Sequence, residues 1–298
     1  MLRILLVALA ASMCGLEGHC QLKKFYTVKS HASYDTVDFV MKATSGTCFV
    51  KPSHHNDPLT IYGNPSLSEV NPTFTSSIRS TTNFVKLELE DYNKKGLSHA
   101  ITYNVFGGEK NEEEKDFWKV YLTDEKIYNL NLSYGVGDSY INLSNVAVAK
   151  IKIESGSADV HINYDEGGMN RCQMDTFSVV VDLGTLVAER MHLSQAKHVI
   201  AEVGFGTAVL DFSKGVNQKC NVNASIGAGT LKVRVPESNF AAIIRFKSSP
   251  LCKYSLEQGF KKIDTDVYVS KGYDENAENL MEFVVDVALG NITFEYVK

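Results

Sequence analysis

A short glycine phrase recurs along the second half of this chain and limits what the chain can fold into. It reads Gly135-Val136-Gly137-Asp138, Gly156-Ser157-Ala158-Asp159, Asp182-Leu183-Gly184-Thr185, Gly204-Phe205-Gly206-Thr207 and Gly227-Ala228-Gly229-Thr230, with a last copy at Ala288-Leu289-Gly290-Asn291. The third residues stand at 137, 158, 184, 206 and 229, so the steps are 21, 26, 22 and 23 residues. The next step, to 290, is 61, close to three more units. Each phrase precedes an alternating apolar run in which Ile141, Ile162, Val187 or Ala188, Leu210, Val233 and Phe294 share one place. A fixed period of this size marks a repeat architecture.

A unit of about 21 residues holds about three short strands with tight corners. It cannot bury its apolar face alone, so units must stack, each strand parallel to its copy in the next unit. The expected fold is therefore all-β: a parallel β-helix, or solenoid, of about 21-residue coils. Gly46, Gly137, Gly184, Gly206, Gly229 and Gly290 are its expected structural corners, because glycine reaches positive φ without steric cost. The next residue is small and polar throughout (Thr47, Asp138, Asp159, Thr185, Thr207, Thr230, Asn291), as turn hydrogen bonding demands. On stacked coils these residues would form a ladder, and a sugar or ion is its sharper alternative use. Gly46 lies 91 residues before Gly137, about four units, so the repeat is expected to begin in degenerate form near the N-terminus. The expected organisation is a signal peptide over 1–20, a β-rich part of degenerate coils over 21–125, and regular repeats over 126–298.

The N-terminus reads as a secretory signal. Arg3 is followed by the apolar run 4–11 and small residues, too short for a membrane span of roughly 20 residues. Cleavage is expected after Cys20, leaving an exported protein of the periplasm, cell surface or medium. With no later segment long and apolar enough to span a bilayer, no transmembrane segment is expected. Cys48, Cys172, Cys220 and Cys252 then remain. They lack zinc spacing, and export would permit two disulfides in any of three connectivities; the alternative is buried small hydrophobes. The 298 residues carry a net charge of −5 with no long basic run, which argues against a nucleic-acid partner.

No catalytic constellation stands out. The Gly-x-Gly pairs are followed by strand residues and lack a third glycine, so they do not fit a dinucleotide fingerprint. His54 and His55 are adjacent and would point to opposite faces of a strand, so no metal site is expected. The acidic stretch 109–116, with Glu109, Glu112, Glu113 and Glu114, reads as a solvated loop. A polysaccharide-active site would need converging carboxylates, for which Glu189 with Arg190, Glu202 and Asp211 are the candidates. Residues 186–197 come nearest to a helix, and 167–170 read as a loop insertion lengthening the 26-residue step. Asn131, Asn142, Asn223 and Asn291 begin glycosylation sequons.

The phrase followed by an alternating run, and the ending Val285-Asp286-Val287-Ala288-Leu289-Gly290-Asn291-Ile292-Thr293-Phe294, resemble bacterial exported domains of the LiaF-like, toastrack and auto-transporter adhesin-head types. The resemblance covers about 125–298 well and 35–62 faintly. It implies a right-handed single-stranded β-helix and no catalytic residues. The expected function is a non-enzymatic envelope or cell-surface protein, adhesin-like or scaffolding, with no cofactor. Its expected partners are a cell-envelope protein or polysaccharide. The alternatives are a polysaccharide-binding or polysaccharide-active β-helix, or an envelope stress-sensing partner.

Overall fold

Alternation in period two places apolar side chains inward and polar ones outward along each strand. A computed structural model describes residues 24–54, 56–64, 70–91, 117–247 and 249–297. Residues 1–20, His55 and the stretch 109–116 lie outside the described residues. In chain order the strands are β1 (Lys24–Val28), β2 (Thr36–Ser45), β3 (Thr47–Pro52), β4 (Leu59–Gly63), β5 (Val70–Arg79), β6 (Thr82–Asp91), β7 (Phe117–Leu122), β8 (Ile127–Asn142) and β9 (Ala147–Asn163). They continue as β10 (Met174–Ala188), β11 (Ala196–Asp211), β12 (Cys220–Val235), β13 (Ala242–Phe246), β14 (Cys252–Leu256), β15 (Lys261–Asp264), β16 (Val267–Val269) and β17 (Met281–Tyr296). The helix-like stretch after β10 is one 3-10 turn, Met191–Leu193.

The long strands β8, β9, β10, β11, β12 and β17 each bend once, at the glycine phrase, into two legs. Each pairs in parallel with the next along both legs. The all-β stacked repeat is therefore present. Register also resolves the aligned apolar place: Ile141, Ile162, Ala188, Leu210, Val233 and Phe294 stack on one another inside the coils, all buried. Val187 faces outward instead. One continuous apolar core runs through the stack, from Tyr34 and Trp118 at one end to Phe283 and Phe294 near the other.

The two long spacings are not multiples of a coil. Gly229 pairs directly with Gly290, and Ser45 with Val136, so no coil stands between the members of either pair. The three-unit and four-unit expectations are thereby corrected. The first coil, β2–β3, sits directly on β8, and the last, β17, sits directly on β12. The chain between them leaves the stack and builds its ends. At one end β6 lies parallel on β2 and β7 parallel on β3. Antiparallel strands then close this end: β5 on β6, β4 on β7 and β1 on β4. At the other end β13 and β14 lie parallel on the two legs of β17, and the antiparallel β16 and β15 follow β13. Short antiparallel strands and the exposed Lys261 and Lys262 on β15 blunt edges that would otherwise template association.

A candidate functional face on the outer surface of the coils

The bend is made where the phrase places it. Gly46, Gly137, Gly184, Gly206, Gly229 and Gly290 have φ of 114°, 135°, 138°, 143°, 146° and 138°. Ala158 occupies the same row in β9 without a positive φ. The polar residue beyond the corner works between coils as well as within them: the Asp159 carboxylate accepts the Thr185 N–H of the next coil at 2.9 Å.

Beyond the corner, the outward positions of the second leg assemble an aromatic row. Phe49, Tyr140 and His161 pair across β3, β8 and β9. Their ring centroids are 5.5 and 5.2 Å apart, with interplanar angles of 16° and 6°. These distances follow from a coil separation of about 4.8 Å with offset rings. The Lys51 and Lys119 ammonium groups stand 5.5 and 6.0 Å from the Phe49 ring, and Lys119 also lies 4.8 Å from that of Phe117. Each such contact contributes roughly 0.5–1 kcal/mol at an exposed site. Past His161 the register carries the row on through Val187 and Val209 to Lys232. The result is an aromatic and aliphatic stripe, flanked by lysines at one end and by the Lys232–Glu295 ion pair at the other, with Tyr140 42% exposed. None of these aromatics stood out in the sequence, although each lies three residues beyond its corner.

Of the carboxylate candidates, Glu189 and Asp211 follow paired residues on adjacent coils, and Glu202 stands apart from them. Glu202 points outward before its corner, between Val180 and Ser225, whereas Asp211 ends the leg after it. Asp211 is engaged locally: its carboxylate accepts the Ser213 N–H at 2.9 Å and the Arg190 N–H at 3.5 Å. Arg190, itself at φ 52°, spends its guanidinium on the Asn163 side chain and the Tyr164 carbonyl, at 2.5 and 2.8 Å. The Glu189 N–H extends the ladder to the Ile162 carbonyl. His54 is exposed, and among the described residues no group of three or more His, Cys, Asp or Glu is placed to hold a metal ion.

On the third side of the coils a shallow cleft of about 120 Å³ is lined by Met191, His192, Gln195, Ala196, Val216, Asn217 and Gln218. Burial holds the His192 imidazole below its ordinary pKa, aided by Lys214 and Arg190 and opposed by Asp211. The unfolded chain then binds the proton more readily, so this site's stabilisation is lost as pH falls through the unfolded value of about 6.5. His192→Gln is expected to lose less stability than the parent between about pH 7.5 and pH 5.5 in urea titrations; an identical loss would refute it.

Cys48, Cys172 and Cys220 are free thiols, the first and last buried. Cys48 Sγ lies 3.9 Å from Met41 Sδ. Burial pushes both the Cys48 and Cys220 thiols up to about 12. Cys252 is half-buried on β14. In the native protein a maleimide should therefore label Cys172 well before Cys48 or Cys220, read by mass spectrometry of the labelled peptides. Equal labelling of all three would contradict the burial.

Residues 62–184 match the family model for the N-terminal domain of toast_rack, DUF2154. The match runs from β4 through the end cap and the first regular coils to the corner of β10, and shows the toastrack resemblance over that stretch. Among solved structures, the chain is similar to a candidate cell adhesion protein from Clostridium sporogenes, at 13% identity and a TM-score of 0.47, covering 93% of this chain and 99% of that one. It is also similar to a candidate adhesin from Parabacteroides merdae, at 12% identity and a TM-score of 0.28, covering 93% and 96%. No curated protein matches the chain. Among the described residues no helix is long and apolar enough to cross a membrane.

Proposed function

We propose that the protein is a non-enzymatic, exported protein of the cell envelope or surface, adhesin-like or scaffolding, whose coils wind right-handed with about 21 residues each. Parallel connections of this kind are right-handed in about 98% of cases. The observation that carries the functional reading is the outward row of Phe49, Tyr140 and His161 flanked by Lys51 and Lys119. It offers a contact stripe, and among the carboxylate candidates Glu202 lies across the corner from Glu189 and Asp211. Export rests on the N-terminal sequence, and the adhesin-like role on the toastrack resemblance. The same row favours an acidic polysaccharide as partner, because the stacked rings present apolar edges and the lysines complement anionic substituents.

The test is binding of the purified mature protein to envelope fractions and to immobilised acidic and neutral glycans. Tyr140→Ala with His161→Ala should weaken binding at least about tenfold while leaving the melting temperature nearly unchanged, as loss of an exposed contact anchor does. Unchanged binding by that variant, or release of reducing ends from the glycan, would overturn the reading.

A further inference from the structure

In the later copies of the glycine phrase the second residue, which precedes the corner glycine, turns toward solvent, whereas its counterpart in the first copy, Val136, is buried. Register stacks Leu183, Phe205, Ala228 and Leu289 on consecutive coils. Leu183, Phe205 and Leu289 are 50%, 63% and 53% exposed. Leu251, 71% exposed, extends the line: it stands between Ser249, whose hydroxyl donates to the Ala288 carbonyl, and Cys252, which pairs with Gly290. The glycines on either side of Phe205 leave its ring standing clear of the corner. Five coils at about 4.8 Å make an apolar ridge about 19 Å long. An exposed apolar line of this kind marks a docking surface.

The charge around it is mainly acidic. From three residues before the ridge position to two after it, the six long strands contribute Asp138, Glu154, Asp159, Asp182, Glu202 and Asp286 and no lysine or arginine, while the outermost coil adds one cation, the exposed Lys253 beyond Leu251. Of these, Glu154 has a cationic partner, Lys152 at 2.6 Å. An acidic surround disfavours an anionic membrane, and it disfavours a second copy of the same ridge by like-charge repulsion. It fits a partner whose apolar side chains are flanked by cations.

We propose that this corner ridge is a docking surface for a basic, amphipathic protein segment, with Phe205 and Leu183 as its anchors. The inference rests on reading the protein as a non-catalytic binding module, but it uses a different face from the aromatic row. The probe is a labelled peptide of about a dozen residues alternating leucine and lysine, with serine–lysine and leucine–glutamate counterparts, titrated against the mature protein by fluorescence anisotropy. The leucine–lysine peptide should bind tightest, weakening as salt rises from about 50 to about 300 mM. Phe205→Ser with Leu183→Ser should cost at least about tenfold. Asp182→Asn with Glu202→Gln should weaken binding and flatten the salt dependence. Because these side chains are exposed, circular dichroism and melting temperature should not move. Equal binding of the serine–lysine peptide, full binding by the double serine variant, or preference for phosphatidylglycerol vesicles would each overturn the proposal. Tyr140→Ala with His161→Ala should leave peptide binding intact, so failure of the ridge and failure of the aromatic row give different patterns.

Discussion

Gly229→Ala is expected to destabilise the protein by about 2–5 kcal/mol, combining left-handed backbone strain of about 1–2 kcal/mol with overpacking of about 1–3 kcal/mol. At this position φ is +146°, and an added Cβ would lie 1.8 Å from the Gly206 carbonyl oxygen and 2.8 Å from its carbon. Both are backbone atoms of the neighbouring coil, so neither can swing aside as a side chain would. Coils in a solenoid are stabilised by their nearest neighbours, so forcing two apart weakens the whole interface between β11 and β12. Gly167→Ala is the control. Its φ is also positive, +74°, but nothing lies within 4 Å of the added atom. It should cost only about 1–2 kcal/mol. Urea unfolding of the two variants beside the parent separates the causes. Equal losses would mean that the glycine answers to local conformation alone.

The second large effect is expected at Asn170, 1% exposed, in the stretch between β9 and β10. Its side-chain NH₂ donates to the carbonyls of Val148 and Cys172 at 2.8 Å and of Ser194 at 3.2 Å, and its oxygen accepts the Val148 N–H at 2.8 Å. Its own N–H donates to the Leu193 carbonyl, and its carbonyl accepts from Gln195 Nε2. One side chain thus ties β9 to the segments leading into β10 and β11. Asn170→Ala leaves those buried groups unsatisfied at about 1–3 kcal/mol each, partly recovered by water, for a net loss of about 3 kcal/mol. Asn170→Asp keeps the acceptor, loses the donors and buries a charge. Its stability should be worst at neutral pH and recover on acidification, because the buried carboxyl has a raised pKa and is tolerated once protonated. A loss below about 1 kcal/mol for Asn170→Ala, measured by urea titration, would show that the network is dispensable.

Particular residues show how far the sequence could be read. Alternation after each phrase gave the inward row from Ile141 to Phe294, because a strand's side-chain period is fixed by covalent geometry. The same counting misled at the 61- and 91-residue steps. Both are near multiples of a coil, and nothing local distinguishes intervening coils from a chain that leaves the stack and returns. The aromatic row was hidden for the same reason: Phe49 and Tyr140 are neighbours only because β3 sits directly on β8. Asn170 belonged to a stretch read as an insertion, and its partners come from three places along the chain. Glu189, Glu202 and Asp211 share outward positions in sequence, but the corner separates Glu202 from the others.

The sequence by itself determined that the chain is all-β, that it repeats, and where each coil bends, since strand alternation and positive φ are properties of a residue and its immediate neighbours. The tertiary structure alone decided the order of the layers, which side chains meet across coils, and the stricter demand placed on the corner glycines. A positive φ near +57° would tolerate an occasional asparagine, but Gly206, Gly229 and Gly290 stand at 143°, 146° and 138°. A carbonyl oxygen from the coil below, standing where Cβ would be, tolerates no side chain at Gly206, Gly229 or Gly290.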